Sequence, residues 1–89
     1  MNGSIRVLVV DDDPALAALV AEYVPREDER LVVETATSAR EGLDRLDGDD
    51  VDCIVSDYDM PETDGLAFLE AVRETWPDLP FVLFTGKGS

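Results

Sequence analysis

The chain has 89 residues, enough for one small domain, and its 21 acidic against 7 basic residues give a net charge of −14. This charge excludes nucleic acid as a direct partner, because phosphates would be repelled, and the absence of histidine excludes His-based metal sites and Ser-His-Asp triads. No apolar run approaches membrane-spanning length and no signal peptide opens the chain, so we expect a cytoplasmic protein with no membrane partner.

The strong acidity has two interpretations. A highly charged chain can be disordered, but regular apolar runs indicate a folded domain with an acidic surface suited to high salt. Surface charges repel one another over about 10 Å at ~0.1 M salt but over only about 3 Å at ~1 M. We therefore expect a halophilic source and a fold that becomes more stable as salt rises.

Four apolar runs are typical of buried β-strands. They span residues 5–10, 31–36, 51–57 and 81–85. Glu34 interrupts the second run, which favours a less buried position at the edge of the sheet. Cys53, the single cysteine, lies in the third run and is predicted to be a reduced thiol in the core.

Helical patterns separate these runs. Asp13 is predicted to cap the first helix, with Pro14 in its first turn and Pro25 at its end. Its apolar stripe is Leu16, Leu19, Val20 and Tyr23. The second helix begins at a capping box, Ser38 with Glu41, and ends at Gly48. The third is capped by Thr63 or Asp64, and its apolar face is Leu66, Phe68, Leu69, Val72 and Trp76.

The alternation β-α-β-α-β-α-β predicts a parallel sheet with right-handed crossovers. The carboxyl ends of parallel strands meet at one rim, so Asp11 and Asp12, Asp57, and Thr85 should converge there. Three close carboxylates require a proton or a cation between them. Their hard oxygen atoms suit Mg²⁺ or Mn²⁺.

Other motifs fit this region less well. An EF-hand loop starting at Asp57 fails, because Pro61 and Glu62 occupy its fifth and sixth positions. Asp57-Tyr58-Asp59 also fits the Asp-x-Asp of haloacid-dehalogenase-type phosphatases, but there the pair follows the first strand. The segment at 86–89 lacks the earlier glycine of a phosphate-binding P-loop.

Three motifs, in this order and at this spacing, closely resemble a response-regulator receiver domain of the chemotaxis-regulator type. They are the segments at 9–14, 56–65 and 84–86, which read VVDDDP, SDYDMPETDG and FTG. The resemblance spans essentially the whole chain. It implies a three-layer α/β fold, doubly wound and flavodoxin-like, with strand order 2-1-3-4. Together with the acidity, it favours a haloarchaeal source.

The resemblance also implies roles for individual residues. Asp57 would be the phospho-acceptor, and Asp11, Asp12, Asp57 and the backbone carbonyl of Asp59 would hold Mg²⁺. The Thr85 hydroxyl and the backbone N–H groups of Asp59 and Gly86 would contact the phosphoryl group. The donor would be a sensor histidine kinase or a phosphotransfer protein, and the domain would catalyse at most its own phosphorylation and dephosphorylation.

The chain departs from the family pattern after the fourth strand. A complete receiver has five strands and five helices, with a site lysine on the fifth strand, and Lys87 does not match that position. We therefore interpret residues 1–89 as a receiver domain that lacks its C-terminal α-β-α portion. The exposed fourth strand or the uncovered first-helix face is expected to promote a homodimer. The alternative function is that of a non-phosphorylated remnant acting as an interaction module.

Overall fold

The computed structural model describes residues 4–48, 50–60 and 63–84. These contain four strands and three helices. In chain order they are β1 (Ile5–Val10), α1 (Pro14–Glu27), β2 (Leu31–Ala36), α2 (Ala39–Gly48), β3 (Cys53–Asp57), α3 (Gly65–Thr75) and β4 (Phe81–Phe84).

The four strands form one parallel sheet in the order β2-β1-β3-β4, which confirms the predicted flavodoxin-like topology. Glu34 lies on β2, at the edge of the sheet as predicted. Val10 is in register with Ala36 on one side and with Ser56 on the other, and Asp57 is in register with Phe84. The carboxyl ends of the strands are therefore nearly level, and the residues that follow them share one rim.

The main core lies between the sheet and the helices α2 and α3. Leu8, Val10 and Ile54 of the sheet and Phe68 and Val72 of α3 are fully buried there. The Phe68 ring meets the Phe81 ring edge to face, with centroids 5.4 Å apart. α1 packs on the opposite face, so the molecule has three layers.

The predicted apolar stripe of α1 was wrong for three of its four residues, and only Val20 is half-buried. Ala17 is buried, whereas Leu16, Leu19 and Tyr23 are 39%, 49% and 51% exposed. The face of α1 that meets the sheet therefore runs through Ala17 and Val20, and the larger side chains of the neighbouring stripe face outward. Pro25 does not end the helix, which continues to Glu27, because a proline in the last turn removes only one backbone hydrogen bond.

The helix caps agree with the sequence predictions, except that one hydrogen bond of the capping box at α2 goes to a different residue. Asp13 caps α1 as predicted, and of the two candidates for α3, Thr63 and Asp64, the cap is Asp64. At α2, the Ser38 hydroxyl accepts the N–H of Glu41 at 3.1 Å, which is half of a capping box. The Glu41 carboxylate bonds to Thr37 instead of returning to Ser38, accepting the Thr37 backbone N–H at 2.8 Å.

Two further predictions change in detail. Cys53 is only half-buried, and burial raises the pKa of its thiol above the ordinary value, which keeps the thiol protonated. Leu66, assigned to the apolar face of α3, is 46% exposed. Across the described ranges, each helix is too short or too polar to cross a bilayer.

Candidate functional site

Three carboxylates meet at the carboxyl rim of the sheet. Asp11 and Asp12 follow β1, and Asp57 is the last residue of β3. One carboxylate oxygen from each lies within 4.8 Å of those of the other two. Asp11 is 2% exposed and Asp57 8% exposed, while Asp12 faces solvent. The predicted convergence of these three side chains is therefore present.

Asp11 is held at both its backbone and its carboxylate. Its backbone N–H donates to the Ala36 carbonyl at 3.0 Å, and its Oδ1 accepts the Asp13 N–H at 2.9 Å. Its Oδ2 is buried and has no hydrogen-bond partner among the described residues. Burial raises the pKa of Asp11 most, the Asp13 N–H lowers it, and the charges of Asp57 and Asp12 raise it further.

Asp57 is fixed mainly through its backbone. Its carbonyl accepts the hydroxyl of the fully buried Ser56 at 3.0 Å, and the next N–H, of Tyr58, donates to the Phe84 carbonyl at 2.8 Å. The Asp57 Oδ1 accepts the Asp59 N–H at 3.3 Å. The carboxylate therefore projects from a rigid strand end and keeps one backbone donor beside it.

Gly65 packs directly against this strand end. Its N–H donates to the Tyr58 carbonyl at 2.8 Å. A Cβ atom added to Gly65 would lie 2.6 Å from the Asp57 carbonyl oxygen and 2.5 Å from Leu83 Cδ2, both closer than real contacts allow. A side chain at position 65 would therefore collide with the end of β3, and only glycine fits at the start of α3.

The remaining predicted site residues have different outcomes. Asp59 reaches Asp57 through its N–H, and the role of its carbonyl stays a prediction. Thr85 and Gly86 lie outside the described residues, as do Pro61 and Lys87.

Sequence reasoning missed a second function of Asp13. We predicted only a helix cap, and its side chain does accept the Ala15 N–H at 3.0 Å. Its own N–H also orients Asp11. The signal that could have revealed this is the Asp11-Asp12-Asp13 run itself, because an aspartate commonly bonds the backbone two residues on.

The donor set fits a hard cation. Three carboxylates supply only oxygen ligands, as Mg²⁺ and Mn²⁺ prefer. A buried carboxylate oxygen without a partner is costly, and a cation beside the Asp11 Oδ2 would supply that partner. The same cation would offset the repulsion between Asp11, Asp12 and Asp57.

Comparisons with known proteins agree with this geometry. The transcriptional regulatory protein GlrR of Escherichia coli K12 is 36% identical over 83 residues, covering 93% of this chain and 18% of GlrR. Response regulator TrrA of Thermotoga maritima, solved in complex with Mg²⁺-BeF, superposes with a TM-score of 0.85 at 28% identity, covering 94% of this chain and 71% of that one. Chemotaxis protein CheY4 of Vibrio cholerae superposes with a TM-score of 0.84 at 32% identity, and the match covers 97% of this chain and 72% of CheY4.

The chain spans 18% to 36% of the length of two curated regulators that it matches. Residues 7–89 match the response regulator receiver domain family. That match covers nearly the whole chain and includes the three clustered carboxylates. This protein therefore belongs to the response regulator receiver domain family.

Proposed function

We propose that Asp57 accepts a phosphoryl group in a cation-dependent reaction, as the switch of a two-component phosphorelay. The observation that carries the proposal is the cluster of Asp11, Asp12 and Asp57 within 4.8 Å, with a buried Asp11 oxygen that lacks a partner. The TrrA structure in complex with Mg²⁺-BeF gives independent support.

In the proposed reaction, a carboxylate oxygen of Asp57 attacks the phosphorus atom of the donor. A new O–P bond forms as the donor's bond to phosphorus breaks, and the leaving group departs with that electron pair. Bound Mg²⁺ would offset the negative charge of the carboxylate and of the phosphoryl group. Asp11, Asp12 and the Asp59 carbonyl would hold the ion together with Asp57.

Backbone and hydroxyl donors complete the proposed site. The Asp59 N–H donates to the Asp57 carboxylate at 3.3 Å, and in this proposal it would donate to an oxygen of the phosphoryl group. We assign the same task to the Thr85 hydroxyl and the Gly86 N–H, following the family motif. The chain would catalyse at most its own phosphorylation and dephosphorylation.

The donor in this proposal is a phospho-histidine on a sensor kinase or phosphotransfer protein, because the chain has no histidine of its own. A cytoplasmic location belongs to the proposal as well. The free thiol of Cys53 is compatible with a reducing compartment.

The test is incubation with acetyl phosphate and Mg²⁺, followed by intact-protein mass spectrometry. We expect one added phosphoryl group, lost in the presence of EDTA and lost in Asp57→Asn, which preserves side-chain size. Asp59→Asn is the matched control, since its backbone N–H and carbonyl are unchanged, and it should still be labelled. Equal labelling of the wild type and Asp57→Asn would refute the proposal.

A second role, as an association module, is favoured by the exposed apolar side chains. Leu16, Leu19 and Tyr23 of α1 and Val82 of β4 are 39% to 51% exposed. We propose that a second copy of the chain covers them, at salt concentrations that screen the acidic surfaces. Light scattering in molar KCl should give the molar mass of a dimer, and the Leu19→Ser variant should show a smaller fraction of dimer at the same concentration. A monomer at every salt concentration would contradict this role.

A further inference from the structure

A groove opens at the end of the sheet opposite the carboxylate cluster. It has a volume of about 370 Å³, within the range of roughly 300–1,000 Å³ typical of ligand pockets. The ends of α2 and α3 and the residues just before β3 and β4 enclose it. Its lining residues are Leu46, Asp50, Val51, Asp52, Trp76 and Leu79.

Hydrogen bonds hold both walls of this groove in place. On one wall, the Arg73 guanidinium donates to the Leu79 carbonyl at 2.6 Å and to the Trp76 carbonyl at 3.3 Å. On the other, the Asp52 carboxylate accepts the Arg6 N–H at 2.8 Å, and the Asp52 N–H donates to the Arg6 carbonyl at 2.8 Å. These bonds fix the backbone at Trp76 and Leu79 and the carboxylate of Asp52, which lowers the entropic cost of ordering these groups when a ligand binds.

The groove combines an apolar floor with an acidic rim. Leu46 is buried, Val51, Trp76 and Leu79 are half-buried, and the rim residues Asp50 and Asp52 are exposed. Among the described residues, no basic side chain lines it. The nearby arginines are engaged elsewhere, Arg73 with the two carbonyls and Arg6 with Glu34 at 2.7 Å.

We propose that this groove docks a segment of a partner protein that presents an arginine or lysine side chain. The aliphatic stem of such a side chain would lie along Leu46 and Leu79, and its charge would reach Asp50 and Asp52. The Trp76 ring adds an attraction for the cation. The surface is separate from the Asp57 site, so the two can be tested independently.

Trp76 is the only tryptophan of the chain, so its fluorescence reports directly on this groove. The probe is the blocked peptide acetyl-Leu-Arg-Leu-Arg-amide, titrated into the full chain. We expect a saturable fluorescence change, absent with the glutamate and the citrulline versions of the peptide. Arginine amide, a small cation without the peptide, should bind at least tenfold more weakly.

Variants separate the groove from general charge attraction. Asp50→Asn and Asp52→Asn should each weaken binding of the arginine peptide about three- to fivefold, which is the size of effect expected for an exposed ion pair. Asparagine at 52 keeps an oxygen that can accept the Arg6 N–H. Asp44→Asn, an exposed carboxylate on α2 that does not line the groove, should leave affinity unchanged.

Three results would overturn the proposal. One is the lack of a saturable change with the arginine peptide. The second is equal binding of the citrulline peptide, or an equal loss in Asp44→Asn. The third is arginine amide binding as tightly as the peptide, which would assign the groove to a small cationic ligand. Phosphorylation of Asp57 does not enter any of these readouts.

Discussion

Replacing Gly65 with alanine should destabilise the fold and disturb the carboxylate site together. The new Cβ would lie 2.5 Å from Leu83 Cδ2, 2.6 Å from the Asp57 carbonyl oxygen and 2.9 Å from Tyr58 Cα. Two of these neighbours are backbone atoms, which cannot move aside by changing a rotamer. Relief of the overlap must therefore shift the start of α3 or the end of β3.

Overpacking of this kind costs about 1–3 kcal/mol, and the backbone contacts favour the upper half of that range. For a domain of this size, each kcal/mol lowers the Tm by roughly 4–8 °C. Because the displaced carbonyl belongs to Asp57, we also expect a smaller stabilisation by Mg²⁺ in the variant than in the wild type.

Gly48→Ala is the matched control, since a Cβ there would meet no atom within 4 Å. Alanine is the better helix former, so this change should be neutral or stabilising by up to about 1 kcal/mol. The assay is thermal unfolding followed by circular dichroism at fixed KCl, with EDTA and then with Mg²⁺. A Gly65→Ala variant with the Tm of the wild type, or an equal loss of stability in both variants, would contradict a steric role for Gly65.

Three other predictions concern charge. Burial and neighbouring carboxylates raise the pKa of Asp11 above 3.8, so its ionised form destabilises the metal-free fold near neutral pH. Asp11→Asn should therefore raise the Tm in EDTA at pH 7. This gain in Tm should vanish below about pH 3.8, where Asp11 is protonated in both the folded and the unfolded chain. An equal gain at pH 3 would show that the ionised carboxylate is not what destabilises the fold. The Thr37 N–H lowers the pKa of Glu41 below 4.5, so its contribution is present above that pH and is lost as pH falls through the folded-state pKa. Glu41→Gln should thus lower the Tm at pH 6 and make little difference at pH 3, as measured by paired melts. The net charge of −14 predicts a Tm that rises from low salt to molar KCl, and a flat Tm would argue against the acidic surface as an adaptation to salt.

The strands of the sheet could be predicted from the sequence because the apolar runs that form them are local features. The first two strands, Ile5–Val10 and Leu31–Ala36, begin and end as predicted, since apolar runs bounded by charged or turn residues leave little freedom. Parallel topology then dictates which strand ends meet, so the order of the motifs alone predicts that Asp11, Asp12 and Asp57 lie together. The helix cap at Asp13 follows from side-chain chemistry alone, whereas that chemistry left Thr63 and Asp64 as two candidates for the cap of α3.

The features that sequence reasoning missed depend on distances between elements. The stripe through Ala17 has the same helical period as the stripe through Leu16 and Leu19, so periodicity could not decide which one faces the sheet. No sequence pattern predicts that a Cβ atom at Gly65 would lie only 2.6 Å from the Asp57 carbonyl oxygen. The bond from Thr37 to Glu41 depends on how the chain enters α2, which a capping-box motif does not specify.

The central claim is that Asp57 is the phospho-acceptor of a cation-dependent site, and chemical mapping tests it most directly. After incubation with acetyl phosphate and Mg²⁺, borohydride reduces an aspartyl phosphate to homoserine, and peptide mass spectrometry locates that residue. We predict homoserine at position 57 alone, with none formed in EDTA. Reduction at Asp11, Asp12 or Asp59 in place of Asp57, or no reduced residue with Mg²⁺ present, would contradict the account.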